Sequence, residues 1–239
     1  MGANQSEENK EKPAKGTVAT LYYFGGRGLA DQIRWLLAAT EVSFTQRVID
    51  TRKKFLKMAS LQLPFGQLPL LQIDNLEIVQ SQAIVRYLAK RANLQGTTME
   101  DEIKCDMIAE TIKDLLPFVT ILPFQRLKSE DVLLTHIKSA KEKWMMIASR
   151  LEIILERNGG KYLVGSTMTY VDILVAHILT WFVEECGNEI VDKMPLLVRL
   201  QNGIISLPGI QAFIRSQAYY PIGDRAYCEQ VNSVLARNI

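Results

Sequence analysis

The spacing of hydrophobic and polar residues changes twice along the chain. Residues 1–16 contain many charges and no aromatic or β-branched residue, which predicts a flexible tail. Over residues 17–92, short runs of β-branched and aromatic residues alternate with helical spacing, which indicates a small α/β domain with a mixed sheet. The pattern predicts strands at 17–24, 44–49, 69–73 and 77–80, with one helix after the first strand and another opening at Ser81. Asp74-Asn75, between the last two strands, predicts a tight hairpin turn.

After a polar linker near residues 93–98 the apolar spacing is helical throughout, so residues 99–239 are expected to form an all-helical domain. Two helix boundaries are marked by their residue types. The Asn-Gly-Gly run at 158–160 is typical of a helix stop, and Thr169 with Asp172 has the spacing of a capping box. The predicted helices cover residues 100–124, 131–157, 170–186, 195–206 and 225–236.

Composition narrows the classes of function. The 28 basic and 26 acidic residues leave a net charge of +2, and no basic stripe is interleaved with aromatics, so we expect no nucleic-acid partner. The three cysteines lie far apart in the sequence and have no metal-ligand spacing, which favours reduced thiols and no metal site. No apolar run has the length of a membrane span and the start of the chain is polar, so a cytoplasmic protein is expected.

Two motifs carry a resemblance to a known family. LYYFGGRGLADQIRWLLA at 21–38 and LPFGQLPLLQIDNLEIVQSQAIVRYLA at 63–89 resemble the glutathione-binding domain of cytosolic glutathione transferases. The likeness covers residues 18–237 and is to the tyrosine-using alpha, mu, pi and sigma classes, with a tail after Pro221 most similar to alpha. It implies a thioredoxin-like α/β domain followed by an all-α domain. It also implies a homodimer that conjugates glutathione, its co-substrate, to small hydrophobic electrophiles in detoxification.

The central chemical task in this family is to keep the glutathione sulfur as a thiolate. A free cysteine thiol has a pKa of about 8.5, and lowering it by ~2 units requires ~2.7 kcal/mol of preferential stabilisation of the anion. One hydrogen bond to a charged group supplies ~1.5–3 kcal/mol. The resemblance assigns that donor to Tyr23; the competing Tyr22 is expected on the opposite face of the strand. Leu29 stands where alpha and pi members carry an arginine, so positive charge near the sulfur is missing.

The resemblance also implies residues that hold the tripeptide backbone. Leu68-Pro69 matches the family's cis-proline turn, which exposes the main chain to the cysteinyl unit, and Gln67 is expected to reach the glutathione backbone. Gln80 and Ser81 lie at a strand-to-helix junction, where Ser81 is suited to the γ-glutamyl carboxylate. A plain N-cap serine is the alternative for Ser81.

Two further glutathione contacts are carried over from the family. Lys57 is a candidate for the glycyl carboxylate, although Lys53, Lys54 and Lys57 equally form a solvated charge run. Asp114 matches the aspartate that contacts the γ-glutamyl amine of the partner subunit, and the matching Asp106 favours that interpretation over a surface carboxylate.

The remaining expectations concern the electrophile and the dimer. Phe65, in a Pro-Phe-Gly loop, matches an aromatic that inserts into the partner's helical domain; packing within its own domain is the alternative. Phe124 replaces a pocket tyrosine of mu and pi members, which removes a proton donor. Core packing is the alternative for the five residues expected to line the electrophile pocket: Phe24, Phe118, Phe124, Val234 and Leu235.

Two other functions and one modification stay open at this point. Glutathione-dependent isomerases of steroid or prostaglandin type and non-catalytic, crystallin-like binding proteins share the resemblance. The start of the chain, MGANQS, fits the N-myristoylation pattern with Gly2 as acceptor, which would give weak, partial membrane association through one acyl chain.

Overall fold

A computed structural model of the chain describes residues 18–236. The tail expected at residues 1–16, including Gly2, and residues 237–239 lie outside this range.

The first part of the chain is a four-stranded mixed sheet with helices, as the sequence predicts. The strand order is β2-β1-β3-β4, with β1 parallel to β2 and antiparallel to β3. The elements are β1 (Ala19–Tyr23), a 3₁₀ turn (Gly28–Ala30), α1 (Asp31–Ala39), β2 (Phe44–Val48), α2 (Arg52–Leu61), β3 (Leu70–Ile73), β4 (Leu76–Val79) and α3 (Ser81–Arg91).

The hairpin between β3 and β4 closes at the predicted Asp74-Asn75 turn. Ile73 pairs with Leu76, and Asp74 and Asn75 have φ angles of 50° and 61°. Two successive residues at positive φ are typical of a type I′ turn, whose twist matches that of the flanking strands.

Helix α2 differs from the sequence prediction, which has only a polar, lysine-rich stretch after the second strand. Only Phe55 and Met58 of α2 are buried, so a single narrow stripe faces the core. Thr51 caps the helix by accepting a hydrogen bond from the backbone N–H of Lys54 at 3.3 Å. A short helix with two buried residues gives too weak a periodicity to stand out among charges.

The second part is helical, and its marked boundaries are confirmed. Helix α6 ends before Asn158, and the capping box of Thr169 and Asp172 opens α7. The single helix predicted over 100–124 is instead two, separated at Ile121, and a further helix, α9, lacks a prediction. The helices are α4 (Met99–Thr120), α5 (Leu122–Arg126), α6 (Glu130–Arg157), α7 (Tyr170–Cys186), α8 (Pro195–Ile205), α9 (Pro208–Ile214) and α10 (Arg225–Leu235).

Helices α1 and α7 join the two parts. Helix α7 is buried almost all round and lies at the centre of the helical part. Two polar contacts cross the junction: the buried Asp31 Oδ2 lies 3.2 Å from Nε2 of the buried His177, and the buried Arg27 pairs with the exposed Glu184. None of the helices within residues 18–236 is long and apolar enough to cross a bilayer.

Candidate active site

Tyr23 ends β1 at the wall of a cavity of about 940 Å³ between the two parts of the chain. The residue is 6% exposed, and its phenolic oxygen accepts a hydrogen bond from the backbone N–H of Leu29 at 2.9 Å. Gly28, between them, has a φ of +45°, and a Cβ there would lie 2.3 Å from the Tyr23 oxygen. Glycine is therefore required for the loop to approach the phenol. Accepting a hydrogen bond polarises the phenol and makes it a stronger donor.

A buried arginine holds the loop that carries Leu29. The Arg34 guanidinium donates to the carbonyl oxygens of Gly26 at 3.0 Å and of Arg27 at 3.2 Å, and pairs with Asp31 at 3.2 Å. Burial disfavours the charged form of Asp31, but the hydrogen bond with His177 and the positive charges of Arg34 and Arg27 outweigh it and lower its pKa. Fixed charges thus hold the backbone that contacts Tyr23.

Tyr22 points away from this cavity. Its hydroxyl donates to Gln72 Oε1 on β3 at 2.9 Å, and the ring is half-buried against the sheet. Adjacent residues of a strand face opposite sides, so only one of the two phenols lies in the cavity. That phenol belongs to Tyr23.

Gln67 and Leu68 bring the β3 edge to the same cavity. The Leu68–Pro69 peptide bond is cis, and Gln67 Oε1 accepts a hydrogen bond from Gln80 Nε2 at 3.2 Å. Gln80 has a φ of +69° between β4 and α3. Gln80 and Ser81 are not part of the cavity wall, but the hydrogen bond places Gln80 next to a residue that is.

The alternative of a plain N-cap serine at Ser81 is wrong. Ser81 is the first residue of α3, Gln80 occupies the cap position, and no side chain caps the helix. The Ser81 hydroxyl therefore has no capping role that would compete with binding a ligand at the helix N-terminus.

The candidate cation and the two aspartates lie outside the cavity wall. Lys57 is exposed on α2, and the neighbouring Lys54 pairs with Asp50 at 2.8 Å. Asp114 is exposed on α4. Asp106, expected to support Asp114, instead accepts hydrogen bonds from Arg86 at 3.0 Å and from the Tyr170 hydroxyl at 2.8 Å, so it links α3, α4 and α7.

Four of the five predicted electrophile residues line the cavity, namely Phe24, Phe118, Phe124 and Leu235. Val234 does not: it is fully buried, and its carbonyl oxygen accepts a hydrogen bond from Arg52 at 3.0 Å. The face of α10 that does reach the cavity carries Tyr227, Val231 and Leu235 at four-residue spacing. This four-residue spacing, visible in the sequence, predicts that Leu235 faces the cavity and that the adjacent Val234 does not.

Comparison with known proteins identifies the family. The family model described as Glutathione S-transferase, N-terminal domain matches residues 19–90, and Glutathione S-transferase, C-terminal domain matches residues 114–217. The Mus musculus protein named Glutathione S-transferase A4 is 34% identical over 218 residues, which cover 90% of this chain and 96% of that protein. The Rattus norvegicus Glutathione S-transferase alpha-4 is 33% identical over the same shares.

The chain belongs to the glutathione S-transferase family.

A solved structure agrees with this assignment. The pi-class glutathione S-transferase of Onchocerca volvulus has a TM-score of 0.74 and 28% identity, and the match covers 87% of this chain and 98% of that one. The thioredoxin-like domain followed by a helical domain is therefore confirmed.

Tyr227 is a feature of this glutathione S-transferase that the motifs do not reveal. Its ring lines the cavity, with its centroid 6.1 Å from that of Phe124. It also lies so close to the loop after β1 that a Cβ on Gly26 would be 2.3 Å from the ring. Burial raises the pKa of Tyr227, and the nearby Tyr23 raises it further by a smaller amount. The phenol of Tyr227 therefore stays protonated. Helix α10 thus places a phenol at the cavity wall, next to Phe124, which has none.

Phe65 is 66% exposed in the loop before β3. The alternative, that it packs inside its own domain, is wrong. An exposed phenylalanine in a loop leaves a large apolar side chain in water unless a partner covers it.

Proposed function

We propose that the chain conjugates reduced glutathione to hydrophobic electrophiles, with Tyr23 stabilising the sulfur as a thiolate. One observation carries the proposal: the Tyr23 phenol is fixed by the Leu29 N–H at the wall of a cavity otherwise lined largely by apolar side chains. A buried neutral donor stabilises an anion more than a neutral thiol, so its effect falls on the reactive form of the substrate.

In this mechanism Tyr23 donates a hydrogen bond to the sulfur and remains protonated. The sulfur lone pair forms a C–S bond with the electrophilic carbon. In an addition, the electrons of the C=C bond move to the conjugated carbonyl oxygen, and a proton from solvent completes the product. In a displacement, the leaving group departs with the electrons of the bond that breaks. No metal or redox step is required.

Tyr227 is proposed as the donor to the oxygen that becomes negative during addition. Its phenol is partly buried beside Gly26 and stays protonated. Aiming a neutral donor at developing charge lowers the barrier to the chemical step. With this role for Tyr227, the proposed reaction is specifically the conjugation of glutathione to unsaturated carbonyl compounds.

The tripeptide is proposed to lie along Gln67, the main chain of Leu68 before Pro69, Gln80 and Ser81. The hydrogen bond between Gln80 and Gln67 supports this arrangement, because it joins the β4–α3 junction to the cavity wall. The N-terminus of α3 at Ser81 offers backbone N–H groups to a carboxylate. Lys57 is proposed for the glycyl carboxylate on family likeness alone.

We further propose a homodimer in which Phe65 inserts into the partner and Asp114 reaches the partner's glutathione. Helix α4 supports a second copy as the occupant, because Met99, Ile103 and Met107 are 78%, 56% and 66% exposed at four-residue spacing. Asp114 lies seven residues after Met107 and therefore on the same face. An exposed apolar stripe that ends in the candidate binding carboxylate fits an isologous interface.

The N-terminal motif supports a proposal about location. With Gly2 acylated, the protein would be cytoplasmic with partial, reversible membrane residence, since one acyl chain binds bilayers only marginally. Intact-mass analysis of protein made in its native cells tests this directly: an N-terminal peptide without the acyl mass removes the proposal.

A conjugation assay with a model electrophile tests the main proposal. Formation of the thioether with one-to-one consumption of glutathione supports it. Isomerised product with glutathione unconsumed favours the isomerase alternative. Absence of turnover, with glutathione still bound, favours a binding protein.

A further inference from the structure

The cavity that contains Tyr23 extends to a wall formed by α5, α6 and the segment between them. Gln125 of α5, Lys128 of the connecting segment, and His136 and Ser139 of α6 line this part. Helix α6 packs against α4, α5, α7 and α8, so this wall belongs to the helical domain and is separate from the strand that ends at Tyr23. At about 940 Å³, the whole cavity is at the upper end of ligand-pocket volumes.

The described residues of this wall include a positive charge and no negative one. Among the described residues that line the cavity there is no aspartate or glutamate, and Lys128 is the only lysine or arginine. The nearby Arg126 is paired with Glu185, whereas the Lys128 ammonium makes no ion pair within residues 18–236. Lys128, which is exposed at this wall, therefore offers a cation to an anionic ligand, and the described lining residues include no carboxylate that would repel one.

The imidazole of His136 is a polar group at this wall, and a hydrogen bond fixes its orientation. Its Nδ1 lies 2.8 Å from the carbonyl oxygen of Val132. Because a carbonyl only accepts, Nδ1 carries the hydrogen of this bond, and Nε2 remains as the second ring nitrogen available to a ligand.

Gln125 is an independent observation on the polarity of this wall. The residue is 5% exposed, and its Oε1 is buried without a hydrogen-bond partner among the described residues. Buried polar atoms are generally satisfied by protein, ligand or ordered water. Gln125 therefore adds a polar side chain to this apolar cavity.

We propose that the electrophile is amphiphilic, with an apolar body between the aromatic residues and a carboxylate at the end remote from the reactive carbon, held by Lys128 and Ser139. The proposal rests on the conjugating function proposed above and specifies its substrate class. Phe118 and Phe124 line the same cavity, where they would contact the apolar body.

The test uses two electrophiles with the same reactive enone and the same aliphatic chain, one ending in a carboxylate and the other in its methyl ester. The measured quantity is the ratio of kcat/KM for the acid to that for the ester, with the purified full-length chain and saturating glutathione. We expect the wild-type ratio to be about ten or more, since a charge-assisted hydrogen bond favours the acid. Lys128→Met should bring the ratio close to one through a higher KM for the acid, and Lys128→Arg should restore it.

Lys138→Met is the matched control, because Lys138 is an exposed lysine of α6 that is not part of the cavity wall. Its ratio and activity should equal those of the wild type. An equal preference for acid and ester in the wild type, or a ratio unchanged in Lys128→Met, overturns the inference while leaving conjugation intact. Failure of the wild type to conjugate either compound overturns the proposed function itself.

Discussion

Replacing Tyr23 with phenylalanine removes one oxygen atom from the proposed thiolate site. The lost hydrogen bond to the charged sulfur is worth ~1.5–3 kcal/mol, which corresponds to about 10- to 150-fold in kcat/KM at neutral pH. Glutathione affinity should change little, because the phenol acts on the anion and not on the bound thiol. The apparent pKa of the bound thiol should rise by ~1–2 units towards its free value.

The pH profile of kcat/KM distinguishes this role from general damage. The deficit of Tyr23→Phe should narrow to less than about threefold above pH ~9.5, where the free thiol is already ionised. The substitution also leaves the Leu29 N–H without its acceptor, so a stability loss of ~1–3 kcal/mol is expected and is measured separately by thermal unfolding.

Tyr22→Phe is the matched control, since it removes a phenol from the same strand that donates to Gln72 and does not line the cavity. Its pH profile should match that of the wild type. The reasoning is refuted by wild-type turnover in Tyr23→Phe, by a deficit that persists unchanged at high pH, or by Tyr22→Phe being the more damaging change.

Three further predictions concern the interface, the second phenol and the fold. Phe65→Glu should give monomers that bind glutathione more weakly, and Asp114→Ala should weaken binding in an intact dimer; sedimentation with glutathione titration checks both, and a dimeric Phe65→Glu protein with normal binding contradicts them. Tyr227→Phe should lower kcat/KM about tenfold more for an enone than for a nitroaromatic halide, because only the enone develops a carbonyl oxyanion; equal losses would point to packing alone. Asp172→Ala should cost about 2–3 kcal/mol in denaturant unfolding, since its carboxylate accepts hydrogen bonds from Leu163 N at 2.8 Å and Thr169 N at 2.7 Å; Asp101→Ala, at an exposed helix start, should cost less than half as much.

The parts of the fold that the sequence predicts are those with local signals. Helix α7 begins and ends where predicted, at Tyr170 and Cys186, because a capping box and a continuous apolar pattern mark it. Helix α9 lacks a prediction because it is seven residues long, and α2 because only two of its residues are buried. Short helices depend on the surface that they pack against more than on their own pattern.

The residues of the candidate site also divide into those that local motifs predict and those that only tertiary packing brings to the cavity. Tyr23, Gln67 and Leu68 follow from motifs within one domain, and all three line the cavity. Tyr227 joins them only because the chain folds α10 back against α2 and α5, and no local pattern encodes that contact. Lys128 and His136 face the cavity through the packing of α5 on α6, which depends on tertiary structure.

The polar contacts between the two domains have a consequence for the modularity of the chain. Asp31 and His177 are both almost completely buried at the junction, and Arg27 meets its carboxylate partner, Glu184, across it. Separating the two domains would break both contacts and expose the apolar surface that α1 and α7 bury against each other. The two domains are thus separable in sequence but depend on each other energetically, so the α/β half is not a transplantable glutathione-binding module, and heat should unfold both halves in one cooperative step.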